Sequence, residues 1–384
     1  MGPVVLSAFN VANFPEGGGH FWVYMQYVLG LRRCGWDVYW LERFVPGGDE
    51  ARDQAAVATF LERLAAFGLG GRAILEFGPD PKRFPGAPTE FGGLTAAEAH
   101  AVFGRAELLL NFNYAIDPEL LGRFRRTALV DIDPGLLQFW ISRGQLAVAR
   151  HDVHFTTGET VGTEEARFPD CGIPWVHIHP PISLEDWPCA SDPRHPAMTT
   201  VSGWDSNNWL VDGPTTIENT KRVAFLRFKE LPGRTRQPLE LALFLRTAAD
   251  AEDRCLMERH GWRIRPSPEV AGSPERYRAY IQGSRGEFSC AKPSCIRFQN
   301  AWVSDRTLCY LASGKPVVVQ DTGPSRHLPD GEGMFRFSTL EQAAAALETV
   351  NQDYGRHSRA ARALAETHFD AKRVAARILE IALD

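Results

Sequence analysis

A glycine run that ends in a histidine, Gly17-Gly18-Gly19-His20, follows the first apolar segment of the chain. Glycine lets the backbone approach a bound group closely, and the free amides at the start of a helix favour negative or polar groups. A histidine beside the end of a strand can act as a general base, because its ordinary pKa is near neutrality. The same pattern also fits a tight turn in which His20 is only a first-turn residue, so both interpretations stay open.

Two carboxylates form a second candidate in Asp131-Ile132-Asp133-Pro134. Side chains at this spacing can hold a divalent cation against a diphosphate. Pro134 favours a different interpretation, in which Asp133 is the N-cap of a helix and Asp131 stands alone at the end of a strand. We favour the cap and expect no metal site. Asp131 would then be placed to orient His20 as a catalytic base.

A third group lies in the C-terminal third of the chain, where Ser304, Asp305 and Arg306 precede a short helical segment. The segment ends at Ala-Ser-Gly-Lys-Pro, before an apolar strand. The amides and the dipole at the start of such a helix attract a diphosphate, and Arg306 or Lys292 can add positive charge. Glu287 is a further acid near this group. These residues predict a binding site for a phosphorylated ligand.

Parallel strands with crossover helices are the elements that must position these groups. Short apolar segments, such as Val4–Phe9 and Pro316–Gln320, alternate with helical stretches almost throughout the chain. The alternation breaks at Pro180–Pro196, which contains five prolines. We therefore predict an α/β protein with two Rossmann-like domains, at 1–182 and 197–367, facing a central cleft. A terminal helix at 368–384 has a one-sided apolar stripe and is expected to cross back onto the first domain.

Composition restricts the function further. A formal net charge of −5 disfavours general nucleic-acid binding, which needs a basic face. No apolar run approaches the roughly 20 residues that span a bilayer, and the N-terminus lacks the basic region of a signal peptide. The seven cysteines are scattered and form no zinc-binding pattern. We expect a cytoplasmic protein without a transmembrane segment.

The C-terminal third resembles the donor-binding domain of the GT-B glycosyltransferases. Leu311-Ala312-Ser313-Gly314-Lys315-Pro316-Val317-Val318 is similar to their E-A-L-A-x-G-x-P-V-V element, and the segment 328–337 is similar to their G-x-G-h-h-h segment. The glycine-rich loop that ends in His20 is placed like the loop of the catalytic histidine in inverting members. The resemblance spans most of the chain, is strongest over 285–384, and points to bacterial enzymes with a "group 1"-like C-terminal domain.

The resemblance implies transfer of a sugar from a nucleotide-diphosphate donor, such as a UDP-sugar, to an acceptor that the sequence does not identify. It implies His20 as the catalytic base and no cofactor beyond the donor substrate, and the patterns above add Asp131 to the catalytic residues. The donor-binding residues that it implies, together with the patterns above, are Gly18, Gly19, Lys229, Glu287, Lys292, Ser304, Asp305 and Arg306.

One departure from the family pattern concerns the donor ribose. The glutamate that binds the ribose in this family falls on Cys309, so Asp305 or Glu287 would have to replace it. The acid–x7–acid pair of retaining members is not reproduced, and this favours inversion. Two alternatives remain on the same scaffold: a nucleotide-sugar 2-epimerase, or a sugar-nucleotide binder without catalysis.

Overall fold

The structure is a computed structural model that describes residues 2–78, 90–190, 195–205 and 209–384. It contains two large β-sheets. The first sheet has the order β4-β3-β2-β1-β5-β6-β7-β8, and only the β3–β4 pair is antiparallel. Its strands are β1 (Val4–Ser7), β2 (Val38–Phe44), β3 (Ala73–Phe77), β4 (Glu90–Gly93), β5 (Leu108–Asn111), β6 (Thr127–Asp131), β7 (Val153–Thr156) and β8 (Trp175–His177). Its helices are α1 (Gly18–Arg33), α2 (Glu50–Ala66), α3 (Ala96–Arg105), α4 (Pro118–Leu121) and α5 (Leu136–Ser142).

The second sheet is parallel and has the order β13-β12-β9-β14-β15-β16, with β10 and β11 forming a separate hairpin. The strands are β9 (Met198–Gly203), β10 (Trp209–Asp212), β11 (Thr215–Glu218), β12 (Leu239–Phe244), β13 (Arg263–Pro266), β14 (Gly286–Ser289), β15 (Val317–Gln320) and β16 (Met334–Phe337). The helices are α6 (Lys221–Arg227), α7 (Ala248–Arg259), α8 (Ser267–Ala271), α9 (Pro274–Gly283), α10 (Pro293–Phe298), α11 (Asp305–Ala312), α12 (Leu340–Gln352), α13 (Tyr354–His368) and α14 (Ala371–Leu383).

The predicted α/β architecture is confirmed, and the apolar segments Val4–Phe9 and Pro316–Gln320 contain the strands β1 and β15. The two sheets are separated in sequence by the proline-rich segment, of which residues 191–194 lie outside the described part of the chain. The helix α2 and the hairpin β10–β11 were not predicted. Their sequences lack a clear apolar period, and α2 buries only Phe60 and Leu64.

Two predicted helix starts are wrong in detail. Asp133 is not the N-cap of α5, which begins at Leu136 after Gly135 with a φ of 80°. The Gln138 side chain accepts a hydrogen bond from the Gly135 amide there, so a glycine in the left-handed region sets the start of this helix. The sequence Ser338-Thr339-Leu340-Glu341 predicts a capping box that begins at Ser338, but the box begins one residue later, because Thr339 and Gln342 cap α12.

Helix α1 packs against two helices from the second half of the chain, α9 and α14. Its amino-terminal half contacts α9, where Trp22 Nε1 donates a hydrogen bond to the Pro274 carbonyl at 3.0 Å. Its carboxyl-terminal half packs against α14, and a Cβ at Gly30 would lie 2.3 Å from the Ala371 carbonyl oxygen. A glycine is therefore required where these helices cross. Helix α14 buries the stripe that includes Val374, Ile378 and Ala382.

Among the described residues, no helix has the length and apolarity needed to cross a membrane.

Candidate active site in the cleft between the two sheets

A cavity of about 650 Å³ lies between the two sheets, at the carboxyl ends of their strands. The segments after β1, β5 and β6 contribute Phe9, Phe112 and Ile132 to its lining. From the other side, Gly203 ends β9 and Phe244 ends β12. Ligands of open α/β sheets bind outside the carboxyl ends of the strands, so this cavity is the candidate functional site.

The glycine run at the start of α1 lies at the cleft, as the sequence predicts. Gly17 is the N-cap and supplies no side chain to the first amides of the helix. A Cβ at Gly18 would lie 2.2 Å from the Ser273 carbonyl oxygen, and one at Gly19 would lie 2.6 Å from the Tyr277 ring. The glycines therefore bring the start of α1 against the segment before α9. This close approach is a packing requirement in addition to any contact with a ligand.

His20 lines the cleft on the first turn of α1. Its Nε2 lies 2.8 Å from the Phe9 carbonyl oxygen, which accepts only a hydrogen bond, so Nε2 carries the proton and Nδ1 is the basic nitrogen. Burial lowers the pKa of His20 below its usual value of 6.5. The imidazole is therefore neutral at pH 7, which is the form that a general base requires.

Asp131 makes no hydrogen bond to His20 in the structure, in contrast to the predicted orienting role. Its carboxylate accepts hydrogen bonds from Gln138 Nε2 at 2.8 Å, from Thr156 Oγ1 at 2.9 Å and from the Asp133 amide at 3.0 Å. The side chain is fully buried, and burial raises its pKa to about 7. The Phe9 carbonyl orients His20 instead, and Asp131 fixes the loop after β6.

Arg306 and Glu287 form a buried ion pair beneath the cleft. Arg306 Nε donates to Glu287 Oε1 at 2.8 Å, and Nη1 donates to the Val201 carbonyl at 3.0 Å. The Arg306 side chain is 9% exposed, lines the cleft, and has no described hydrogen-bond partner at Nη2. Glu287 is fully buried on β14 and does not reach the cleft. Glu287 therefore positions Arg306, and it is not among the described residues that line the cleft.

Asp305 and Ser304 stand at the start of α11, and both line the cleft. The Ser304 hydroxyl makes no capping bond to the helix, so it remains available to a ligand. Burial raises the pKa of Asp305 above its usual value. Cys309 is buried and its Sγ donates to the Asp305 carbonyl at 3.4 Å. Of the two predicted substitutes for the ribose-binding acid, Asp305 is the one that faces the cleft.

Comparison with solved structures gives matches over almost the whole chain. Sucrose-phosphate synthase from Thermosynechococcus elongatus is 12% identical, with a TM-score of 0.56 over 99% of this chain and 98% of that one. An alpha-glucosyltransferase in complex with UDP is 11% identical, with a TM-score of 0.62 over 99% and 100%. Anabaena HepE in complex with UDP and glucose is 11% identical, with a TM-score of 0.56 over 99% of both chains.

The chain has the GT-B fold.

No protein-family model matches the sequence, and the comparison with curated proteins gives no match. At sequence identities of 11–12%, the similarity to solved structures shows the fold of this chain but does not identify its substrates.

Lys221 is a residue of the GT-B cleft that the sequence analysis missed. It begins α6, lines the cleft, and its Nζ donates to the Cys290 carbonyl at 2.6 Å. Burial, and secondarily the charge of Arg306, lower its pKa to about 7. Lys292 also lines the cleft, with its Nζ 3.9 Å from Asp133. Lys229 is not among the described residues that line the cleft, whereas Lys221, eight residues earlier, is.

Proposed function

We propose that the protein is a metal-independent glycosyltransferase that moves a sugar from a nucleotide-diphosphate donor to an acceptor hydroxyl with inversion. The donor lies against the second sheet and the acceptor lies against the first. The observation that carries this proposal is Arg306: a buried guanidinium that lines the cleft, is fixed by Glu287, and has one buried nitrogen, Nη2, without a described partner. A buried donor without a partner is costly, so a bound anion beside this guanidinium would be stabilising.

Four groups converge where the diphosphate would lie. Arg306, Lys221 and the Ser304 hydroxyl line the cleft on the side of the second sheet, and Lys292 lies near them. These donors would stabilise the charge that develops on the leaving diphosphate, as fixed hydrogen-bond donors do in other transfer reactions. Asp305 would accept hydrogen bonds from the ribose hydroxyls. Asp131 has its carboxylate committed to protein donors, which supports a mechanism without a carboxylate-bound metal ion at that position.

The reaction would proceed as a direct displacement. The acceptor oxygen attacks the anomeric carbon while its proton passes to His20 Nδ1, the bond from that carbon to the phosphate oxygen breaks, and the nucleoside diphosphate leaves with the bonding electrons. His20 belongs to the first half of the chain and the cations to the second, so the base and the leaving group lie on opposite sides of the cleft. Attack from the side opposite the leaving group inverts the anomeric carbon.

The similar structures agree with this class of donor. The alpha-glucosyltransferase and HepE both carry UDP, and HepE also carries glucose. Two of the three structures are named as enzymes of sugar transfer or sugar-phosphate synthesis, the alpha-glucosyltransferase and the sucrose-phosphate synthase. The proposed donor is therefore a nucleotide sugar, and the proposed reaction class is glycosyl transfer.

The proposal is tested by incubating the protein with UDP-, GDP- and ADP-glucose and measuring released nucleoside diphosphate, with candidate hydroxyl compounds and with water alone. His20→Ala should lower turnover of the best donor by about 100- to 10,000-fold, the usual contribution of a general base, and leave the donor Kd unchanged. His195→Ala, at an exposed histidine outside the cleft lining, is the control. Normal turnover in His20→Ala, or an epimerised donor formed without an acceptor, would overturn the proposal.

A further inference from the structure

The loop between β1 and α1 sets the orientation of His20. The carbonyl of Phe9, in this loop, accepts hydrogen bonds from His20 Nε2 at 2.8 Å and from the Tyr24 hydroxyl at 3.3 Å. Asn10 follows with a φ of 63°, in the left-handed region that residues other than glycine seldom adopt unless surrounding contacts hold them. The direction of His20 Nδ1, the basic nitrogen, therefore depends on the contacts that hold this loop.

Two side chains anchor this loop to β2 and to the residue that follows β2. The Ala12 amide donates a hydrogen bond to Glu42 Oε1 at 2.7 Å. Asn13 makes a reciprocal pair with the backbone of Val45, because its Nδ2 donates to the carbonyl at 2.7 Å and its Oδ1 accepts from the amide at 3.0 Å. Of these two anchoring side chains, only Glu42 is ionisable. The Glu42 carboxylate can therefore change its hold on the loop when it gains a proton.

Glu42 is a buried carboxylate whose described hydrogen-bond partners are all donors. The residue is 1% exposed, and its Oε2 accepts from Trp40 Nε1 at 3.0 Å while Oε1 accepts from the Ala12 amide. Burial raises the pKa of Glu42 to about 7, although the hydrogen bonds from Ala12, Trp40 and Val11 act in the opposite direction. Donors favour the charged form and burial opposes it, so the carboxyl changes its protonation near neutral pH.

Tyr24, on α1, is an ionisable side chain that responds to the charge of Glu42. Burial, and secondarily the charge of Glu42, raise the pKa of Tyr24 well above 10, so Tyr24 stays protonated. Arg43 pairs with Glu76 at 3.6 Å, and this pair lies on the other face of the sheet, because successive side chains of a strand point to opposite faces. His20 has its own pKa lowered by burial and is neutral at pH 7. Of these groups on the α1 side of β2, Glu42 is the one that titrates at about pH 7.

We propose that Glu42 is a positioning residue, which as a carboxylate holds the Ala12 amide and with it the loop that presents the Phe9 carbonyl to His20. The inference rests on the proposed function, because it takes His20 as the base. A proton from solvent turns one Glu42 oxygen into an O–H donor, which accepts less well from Ala12 or Trp40. The loop is then held less firmly, His20 Nε2 loses its fixed hydrogen-bond partner, and Nδ1 is no longer directed at the reacting hydroxyl.

Nuclear magnetic resonance of the full-length protein with ¹⁵N-labelled histidine tests the inference without any substrate. The ring nitrogens of His20 are identified by their absence in His20→Asn and are followed from pH 8.5 to pH 5. At pH 8.5 the ring proton should be on Nε2. In wild type the His20 signals should change first near pH 7, while the ring is still neutral, and again at lower pH, when the ring itself is protonated. Glutamine does not titrate, so Glu42→Gln should show only the lower step.

Turnover gives a second measurement. In the release of UDP from saturating UDP-glucose, with water as the acceptor, Glu42→Gln should lower kcat at pH 8.5 by about 10- to 100-fold, the usual effect of misplacing a reacting group by about 1 Å. The Kd of UDP should stay unchanged, because Glu42 acts only on the base. A loss of stability alone would not separate kcat from the UDP Kd in this way.

Glu76→Gln is the matched control, because Glu76 is a buried carboxylate of the adjacent strand β3 that pairs with Arg43 on the other face of the sheet. It should retain both steps of the His20 titration. A single step in wild type, or two unchanged steps in Glu42→Gln, overturns the inference, and the wild-type titration decides even if Glu42→Gln does not fold. Two steps in a protein that transfers no sugar contradict only the proposed function, whereas transfer by a wild type with a single step contradicts only the positioning role.

Discussion

At the scale of single residues, the site depends on charges that are buried and only partly paired. Arg306 lines the cleft and has one carboxylate partner, Glu287, and one buried nitrogen without a described partner. Lys221 is held by a single carbonyl and has its pKa lowered to about 7 by burial. Both side chains are stabilised when an anion enters, since the anion restores the interactions lost on burial. Anion binding should therefore be coupled to the ionisation and to the stability of these residues.

The Glu287–Arg306 pair gives the first prediction. Glu287→Gln removes the counter-charge of Arg306 and should lower the melting temperature of the free protein, because it leaves a buried charge uncompensated. A bound nucleoside diphosphate then supplies the missing negative charge, so it should raise the melting temperature of Glu287→Gln by more than that of wild type. Thermal unfolding with and without UDP measures both effects. Glu240→Gln is the control, because Glu240 lies on β12, two strands from β14, and its carboxylate accepts a hydrogen bond from the Tyr280 hydroxyl.

A purely structural role for Glu287 would give the same UDP-induced shift in both proteins, and that result would contradict the assignment of Arg306 to the donor diphosphate.

Lys221 gives a prediction for pH. Only the protonated ammonium attracts a diphosphate, and its pKa in the free protein is lowered from 10.5 to about 7, so protonation is lost as pH rises through 7. Affinity for UDP-glucose should therefore fall between pH 6 and pH 8.5, and binding should take up protons. Lys221→Arg keeps its charge over this range and should flatten the dependence. Lys229→Arg, outside the cleft lining, should retain the wild-type profile; an unchanged profile in Lys221→Arg would remove Lys221 from the donor site.

At the scale of elements, helix starts and close backbone contacts position the reacting groups. The sequence was sufficient to predict the alternating strands and helices, the glycine-rich start of α1, and the place of Ser304, Asp305 and Arg306 at a cleft-facing helix start. The sequence was not sufficient to predict that Lys221 lines the cleft, because the position of its side chain depends on the Cys290 carbonyl far along the chain. Local sequence carries no signal for such a contact.

The wrong predictions have the same kind of cause. Asp131 was expected to reach His20, but it is held by Gln138 and Thr156, which come from separate elements. The cap at Asp133 was predicted from Pro134, yet the left-handed backbone of Gly135 starts the helix two residues later. Helix and capping propensities depend on residues that are neighbours in sequence, whereas the partners of Asp131 and the start of α5 depend on tertiary contacts.

Gly18 gives the prediction at this scale. Gly18→Ala places a Cβ 2.2 Å from the Ser273 carbonyl oxygen and 2.5 Å from that of Ala271, so backbone on one side must move. The free energy of unfolding should fall by about 1–3 kcal/mol, the usual cost of overpacking. Gly104→Ala, on α3 with nothing near its Cβ, is the control and should be neutral or stabilising, because alanine favours a helix. Chemical denaturation of both variants makes the comparison, and equal stability would contradict the close approach.

At the scale of the whole molecule, α1 and α14 join the first sheet to the end of the chain. The Arg126 side chain donates to the Ala382 carbonyl at 2.9 Å, and Cys34 Sγ contacts the Lys372 carbonyl at 3.4 Å. The buried stripe of α14 belongs to the same apolar cluster as the residues of β1 and α1. We expect this contact to make unfolding of the two halves cooperative, because it gives them a shared core.

Ile378 tests that expectation. It is fully buried on α14, so Ile378→Ala should cost about 2–5 kcal/mol and lower the single unfolding transition as a whole. Leu383→Ala, at the exposed end of the same helix, should cost little. Calorimetry distinguishes the outcomes, and a second transition that appears only in Ile378→Ala would show that α14 stabilises one half alone.

The central claim is that the cleft binds a nucleoside diphosphate through Arg306, and titration calorimetry tests it most directly. The protein is titrated with UDP, GDP and ADP, and the best ligand is repeated with Arg306→Ala and with Arg254→Ala, at an exposed arginine paired with Glu258 on α7. We expect one nucleotide to bind, Arg306→Ala to weaken its binding by about 1.5–3 kcal/mol, and Arg254→Ala to bind it as wild type does. Binding of none of the three nucleotides, or equal affinity in Arg306→Ala, would contradict it.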